Sequence, residues 1–220
     1  MCFSICCEYW KHDWDKVKPS WNDGWILGVS RVIFWCLAKL SFSRVIVFCK
    51  VRKYGERHKK AYLAVDWYVF AWFLVELLFC ILVIFSNWAD NCLFVTLLLC
   101  FICYRLFDIF QSWVSQFVLG GVPPGWKPVN IYRSLVLVFI GYFEIIISYA
   151  LLALVLKDNF QGINYWQQAL YYSFSNAITI GSGFTPVSCL SYAIFITQIM
   201  FVLLFLTAAV NTIISHTARK

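Results

Sequence analysis

From about residue 62 onward the chain alternates long apolar runs with short polar breaks. Three runs are continuous enough to read as membrane spans: 62–88, 92–118 and 189–214. A fourth, 134–156, is interrupted only by Glu144. Each reaches or exceeds the ~20 residues that carry a helix across the hydrocarbon. None alternates with a period of two, and lipid offers no partner to an open backbone group, so all four are predicted to be helical. Tyr and Trp near several ends fit interfacial anchors. An earlier stretch, 25–51, is apolar but carries Arg31, Lys39 and Arg44 in its interior. Charges are costly at the centre of a span, so an amphipathic helix lying on the inner leaflet is predicted there. A fifth span is the alternative. The chain then divides into an N-terminal cytoplasmic or interfacial region over 1–61, a two-helix transmembrane hairpin over 62–118, a cytoplasmic linker over 119–133 and a C-terminal unit over 134–220.

Composition strengthens the membrane assignment. Of 220 residues, 62% are hydrophobic and 13% charged, against about 45–50% and about 25% in soluble domains. Basic residues fix the expected orientation. The stretch 50–60 is basic, and with it inside, the linker with Lys127 and Arg133 and the terminal Arg219 and Lys220 also fall inside. The loops 87–91 and 157–164 fall outside and share a single basic residue, Lys157. The net charge of +7 therefore reflects topology and contact with an anionic inner leaflet, not nucleic-acid binding. A plasma membrane is expected, the inner membrane if the source is bacterial, with the C-terminus cytoplasmic. No cleavable signal peptide is expected, because the first ten residues lack an apolar core.

The ten cysteines add little. Cys80, Cys100 and Cys103 lie in apolar runs and behave as small hydrophobes. Cys2, Cys6 and Cys7 cluster with His12 nearby, which leaves acylation or a metal site open, but their spacing is not a zinc pattern. His12, His58 and His216 lie outside the spans with no nucleophile pattern beside them. No catalytic residue, resident metal or cofactor is predicted, and the chain is not read as an enzyme.

The segment 162–187, between the last two spans, is too short and polar to cross and too aromatic for a plain loop. Tyr165, Trp166, Ala169, Leu170, Tyr171, Tyr172 and Phe174 are followed by Gly181-Ser182-Gly183 and Pro186. A helical stretch followed by glycines predicts a re-entrant element, which lipid tolerates only if buried in protein or lining water. The run Ala169-Leu170-Tyr171-Tyr172-Ser173-Phe174-Ser175-Asn176-Ala177-Ile178-Thr179-Ile180-Gly181-Ser182-Gly183 resembles the pore helix and selectivity filter of potassium channels, of the prokaryotic two-helix-pore type. The resemblance covers about residues 131–220. It implies an all-α membrane protein with four transmembrane helices, a re-entrant pore helix and filter, and the N-terminal amphipathic helix. It also implies a homotetramer, because one chain supplies one filter strand. By that likeness Thr179, Ile180, Gly181, Ser182 and Gly183 form the filter, with the carbonyls of the first four coordinating permeant K⁺ or Na⁺. Gly181 and Gly183 would supply the alternating φ > 0 that aligns carbonyls, and the preceding helix would aim its C-terminal dipole at a cation.

The departures from the family pattern bear on selectivity. Ser182 stands where an aromatic usually braces the filter, Phe184 replaces the usual Asp, and Ile178 stands where a second Thr is usual. A monovalent-cation pore is expected, with potassium preference left open. On the last span Ala193, Ile196, Met200, Leu203, Thr207, Asn211 and Ile214 share one face at about 100° per residue. Met200, Thr207 and Asn211 are the expected pore-lining positions; hydrogen bonding between packed helices is the alternative. Glu76 and Arg105 lie at similar depth on antiparallel spans, by the ~1.5 Å rise per residue. An ion pair between them is expected, joined by Asp108 at i+3. Asp66 is expected at the interface, and Glu144 has no obvious partner. No helix shows the repeated Arg of a voltage sensor. The rival reading is a non-conducting membrane-embedded interaction or effector subunit.

Overall fold

The computed structural model describes residues 59–85, 91–118 and 131–217, and five helical positions nearer the N-terminus, Val29, Val32, Ile33, Cys36 and Leu37. Four long helices dominate: α1 (Lys59–Phe85), α2 (Cys92–Val118), α3 (Ile131–Val155) and α5 (Cys189–Thr217). A shorter α4 (Trp166–Ala177) sits between the last two. The long helices contain apolar windows of membrane-spanning length at Asp66–Ile84, Cys92–Val114, Leu135–Val155 and Cys189–Thr207. The chain is a mostly helical, multi-pass membrane protein, and the predicted spans coincide with these helices to within a few residues. The choice between surface helix and fifth span for 25–51 lies outside the described residues, as do Cys2, Cys6, Cys7 and the linker 119–130.

The hub is α3, which packs against α1, α2, α4 and α5. Half of its spanning window is buried within the single chain, against 6% of the α1 window. The reason is visible in its sequence. Ile145, Ile146, Ser148, Tyr149, Ala150, Leu151, Leu152 and Ala153 are all buried, so its second half has neighbours on every side, while Val136, Phe139 and Phe143 leave one stripe of its first half exposed. The peripheral α1 meets α2 through rings: Trp72 lies 5.1 Å from Phe101, and Phe79 lies 4.7 Å from Phe101 between ring centroids. Such tilted pairs contribute beyond simple area burial. Near the start of α3, Arg133 grips Asp66 of α1 with Nε at 3.0 Å from both carboxylate oxygens and a terminal nitrogen at 2.6 Å.

Between α3 and α5 the chain leaves and re-enters the bundle on one side. Strands β1 (Phe160–Gln161) and β2 (Thr185–Pro186) pair antiparallel, Phe160 opposite Pro186 and Gln161 opposite Thr185. The clip is reinforced by Val187 N donating to Asn159 O at 3.1 Å. Ser188 then starts α5, its Oγ accepting from Ser191 N at 3.2 Å while Ser191 Oγ accepts from Ser188 N at 3.0 Å. This is the reciprocal arrangement of a capping box with a hydroxyl at both positions.

One close approach in the hub depends on a missing side chain. A Cβ added to Gly141 of α3 would stand 3.3 Å from Cζ2 of Trp113 on α2, and Trp113 in turn packs on Phe205 of α5 at 6.0 Å. Gly141→Leu should therefore push these three helices apart and cost about 1–3 kcal/mol, whereas Gly141→Ala needs only a small shift of the ring. Thermal unfolding in nanodiscs checks both: the Leu variant should melt clearly earlier and the Ala variant close to the parent.

Candidate functional site

The segment inside the β1–β2 clip is the first candidate. Its helix α4 begins after Tyr165, and Gln168 in the first turn folds back over the start. Gln168 Oε1 accepts from Asn164 N at 2.7 Å and from Tyr165 N at 3.0 Å. These amides have no intrahelical partner of their own. From there α4 runs inward along α3. Ser173 Oγ donates to Ile146 O at 2.7 Å, near the middle of the Leu135–Val155 window. Ala177 O accepts from Tyr142 Oη, a further turn along α3, at 3.0 Å. The chain then returns to β2, beside the strand from which it departed. It enters and leaves at the same end of α3.

The C-terminal turn of α4 is closed by hydrogen bonds. Phe174 O accepts from Ile178 N at 3.0 Å, Asn176 O from Thr179 N at 3.1 Å and Ser175 O from Ile180 N at 3.1 Å. The last two bonds make a Schellman turn, in which the residue just past the helix adopts the left-handed conformation. That residue is Thr179, with φ of 59°. Gly181 follows at φ of 83°. The two left-handed positions are therefore Thr179 and Gly181, whereas glycine pattern alone placed them at Gly181 and Gly183. The difference arises because the helix terminus imposes its own left-handed residue wherever it falls. Thr179, Ile180, Gly181 and Gly183 are exposed in the single chain, Ser182 is half-buried, and Ile180 is 75% exposed. A Cβ at Gly181 or Gly183 would meet nothing within 4 Å.

Phe184 does not lie open. Its ring covers Gly162, whose added Cβ would be 3.0 Å from Cδ1, and stands edge-on to Tyr171 at 6.2 Å. Of the positions expected to line a pore, Met200 is 56% exposed and Thr207 is exposed. Thr207 Oγ1 is occupied by Leu203 O at 2.7 Å. The side chain of Asn211 lies outside the described residues. Gln198, which sequence analysis passed over, is fully buried on the other side of α5 and bonds to α4.

The second candidate is a buried ionic cluster where α1, α2 and α3 meet. Arg105 of α2 binds Asp108 at 3.1 Å, as the i+3 spacing predicts, and binds Glu144 of α3 at 2.5 Å. Tyr68 of α1 donates to Asp108 at 2.9 Å. The guanidinium also lies over the rings of Tyr68 and Trp72, at 5.8 and 5.4 Å, a favourable cation–π placement. The expected direct Glu76–Arg105 pair is not formed. Arg105 reaches Glu144 instead, and Glu76 accepts from Ser148 Oγ at 3.1 Å. Depth along antiparallel helices predicts which residues share a level, but rotation about each axis decides which of them touch. Glu144 and Ser148 are one turn apart on α3, so this single face receives Arg105 from α2 and Glu76 from α1. Among the described residues no group of three or more His, Cys, Asp or Glu is arranged to hold a metal ion.

Two outcomes follow from these geometries. Arg105→Ala strands buried carboxylates and should cost about 3–5 kcal/mol, while Arg105→Met combined with Glu144→Gln removes both charges and should cost much less. Thermal melting in nanodiscs distinguishes them; equal melting would mean that the pair does not act as a unit. Thr179→Gly relieves a β-branched residue in the left-handed region and should stabilise by roughly 1 kcal/mol, net of the entropy that glycine loses. A lowered melting temperature would mean that the Thr179 side chain makes compensating contacts.

Compared with family models, curated proteins and solved structures, the chain gives no match, so a functional reading rests on the geometry of these two sites.

Proposed function

We propose that this chain is the subunit of a tetrameric, monovalent-cation channel whose ion path is built from the backbone of Thr179–Gly183. The observation that carries the reading is a re-entrant segment presenting two left-handed residues, Thr179 and Gly181, two positions apart at its exposed inner tip. An ion that sheds water needs replacement oxygens, and backbone carbonyls supply them. Alternating left-handed residues turn successive carbonyls toward a common side. The carbonyls of Thr179, Ile180, Gly181 and Ser182 are assigned this role, with the α4 C-terminus contributing partial negative charge behind them.

One chain supplies one strand of such a path. An exposed Ile180 and open space around Gly181 and Gly183 fit a surface completed by further copies of the chain. Four copies around a fourfold axis close the ring. Met200, Thr207 and Asn211 on α5 are then the positions proposed to line the cavity below it. The proposed setting is a plasma membrane, with the C-terminus cytoplasmic and basic segments against the anionic inner leaflet. K⁺ and Na⁺ are the permeant ions. Ser182, in place of a bracing ring, favours modest discrimination between them.

Planar-bilayer recording of the purified chain tests the reading. Single-channel steps carried by monovalent cations are expected from the parent. Gly181→Ala should abolish them while leaving insertion and assembly intact, because a Cβ at φ of 83° strains the backbone even though the surrounding space is open. Unchanged currents in Gly181→Ala would remove this segment from the ion path. A well-assembled parent that gives no steps would favour the non-conducting effector reading instead.

A further inference from the structure

Gln198 spends every polar atom of its side chain on α4. Its Nε2 donates to Ser173 O and to Ser173 Oγ, both at 2.8 Å, and its Oε1 accepts from Asn176 Nδ2 at 3.4 Å. Ser173 Oγ passes its own proton on to Ile146 O of α3 at 2.7 Å. The chain of donors has one sense only. Ser173 O can only accept, so the amide nitrogen must face it, and Ser173 Oγ, already donating to Ile146, must accept. Gln198, Ser173 and Asn176 are all buried, at 0%, 0% and 5% exposure. The three helices α3, α4 and α5 are thereby tied at one level by a directional network, and low-dielectric surroundings make each bond costly to lose.

The network leads to the tip of the segment. Asn176 bonds Gln198 through its side chain and receives Thr179 N on its carbonyl. The Schellman turn holds residues 178–180 to the end of α4, so whatever fixes α4 fixes the start of 179–183. Meanwhile Phe184 is committed to Gly162 and Tyr171 on the side of the β1–β2 clip.

We propose that Gln198 is a positioning residue that holds the Thr179–Gly183 backbone in place from behind, through Ser173 and Asn176. It supplies from α5 the stiffness that a ring at position 182 would otherwise give. The proposal rests on the channel reading only for its effect on ions; the bracing itself concerns the backbone and can be measured without current. Because Met200 lies half a turn further along α5 on its exposed face, a shift of α5 would reach both the cavity wall and the bracing network.

The experiment pairs hydrogen exchange with recording, using the full chain in nanodiscs and bilayers. Gln198→Met keeps the length and loses both donors and the acceptor. The amides of Thr179 and Ile180 should exchange about tenfold faster, as expected for losing one to two buried hydrogen bonds, while α1 and α2 exchange as in the parent. Under bi-ionic K⁺ and Na⁺ conditions the permeability ratio should change by about twofold or more. Ser173→Ala, which leaves the bond from Gln198 to Ser173 O, should give a smaller change in the same direction and serves if Gln198→Met does not fold. Unchanged exchange at 179–180 in a folded variant overturns the proposal. So does an increase spread evenly over all helices, which marks general loosening. A parent that shows no current counts against the channel reading, and exchange still decides whether Gln198 braces the segment.

Discussion

A backbone that turns round among membrane-spanning helices must satisfy its own polar groups, and the rest of this structure depends on how that is done. The last four carbonyls of α4 each find a donor: Ile178, Ile180 and Thr179 amides for Phe174, Ser175 and Asn176, and the Tyr142 hydroxyl for Ala177. Without these partners each buried carbonyl would cost about 1–3 kcal/mol, and the segment could not stop part-way along α3. The partners come from two sources. The Schellman turn at Thr179 supplies two, Ile178 N continues the helical ladder to supply a third, and α3 supplies the fourth. Tyr142 is held for that purpose by stacking on Phe205 of α5, with centroids 4.2 Å apart and planes 23° from parallel.

The same helix that receives α4 also collects the buried charges. Along one side of α3, Glu144 takes Arg105 and Ser148 takes Glu76. On another side of α3 at the same level, Ile146 and Tyr142 hold α4. The hairpin of α1 and α2 is thus fastened to the α3–α5 unit by ion pairs and hydrogen bonds, with rings filling the space between α1 and α2. Such a cluster adds little net stability over apolar packing, but breaking it from one side is expensive. It therefore fixes which face of the hairpin docks on α3.

The spans were legible because length and apolarity alone define them, and a short helix between the last two was legible because 162–187 fits neither a span nor a surface loop. Asp108 beside Arg105 was legible because both lie on one helix. What was not legible required rotation about an axis. Glu76 shares a level with Arg105 but turns toward Ser148, while Glu144, lacking an obvious partner in the sequence, is the carboxylate that Arg105 reaches. Thr179 was read for its carbonyl and not for its φ, since a Schellman turn is visible only once the helix end is known. Gln198 was overlooked although a signal existed: a glutamine in an otherwise apolar run needs a partner, and Ser173 and Asn176, three residues apart on α4, present one face to it.

The central claim is that four copies of the 179–183 segment converge on one axis. Spin labels introduced at Ile180 as an unnatural amino acid, in the full chain in nanodiscs, measure this convergence directly. Four labels on a square give two distances with a ratio of about 1.4, side to diagonal, and both should be short for a segment at the proposed axis. A single distance, a ratio that fits another symmetry, or no dipolar coupling at all would contradict the account.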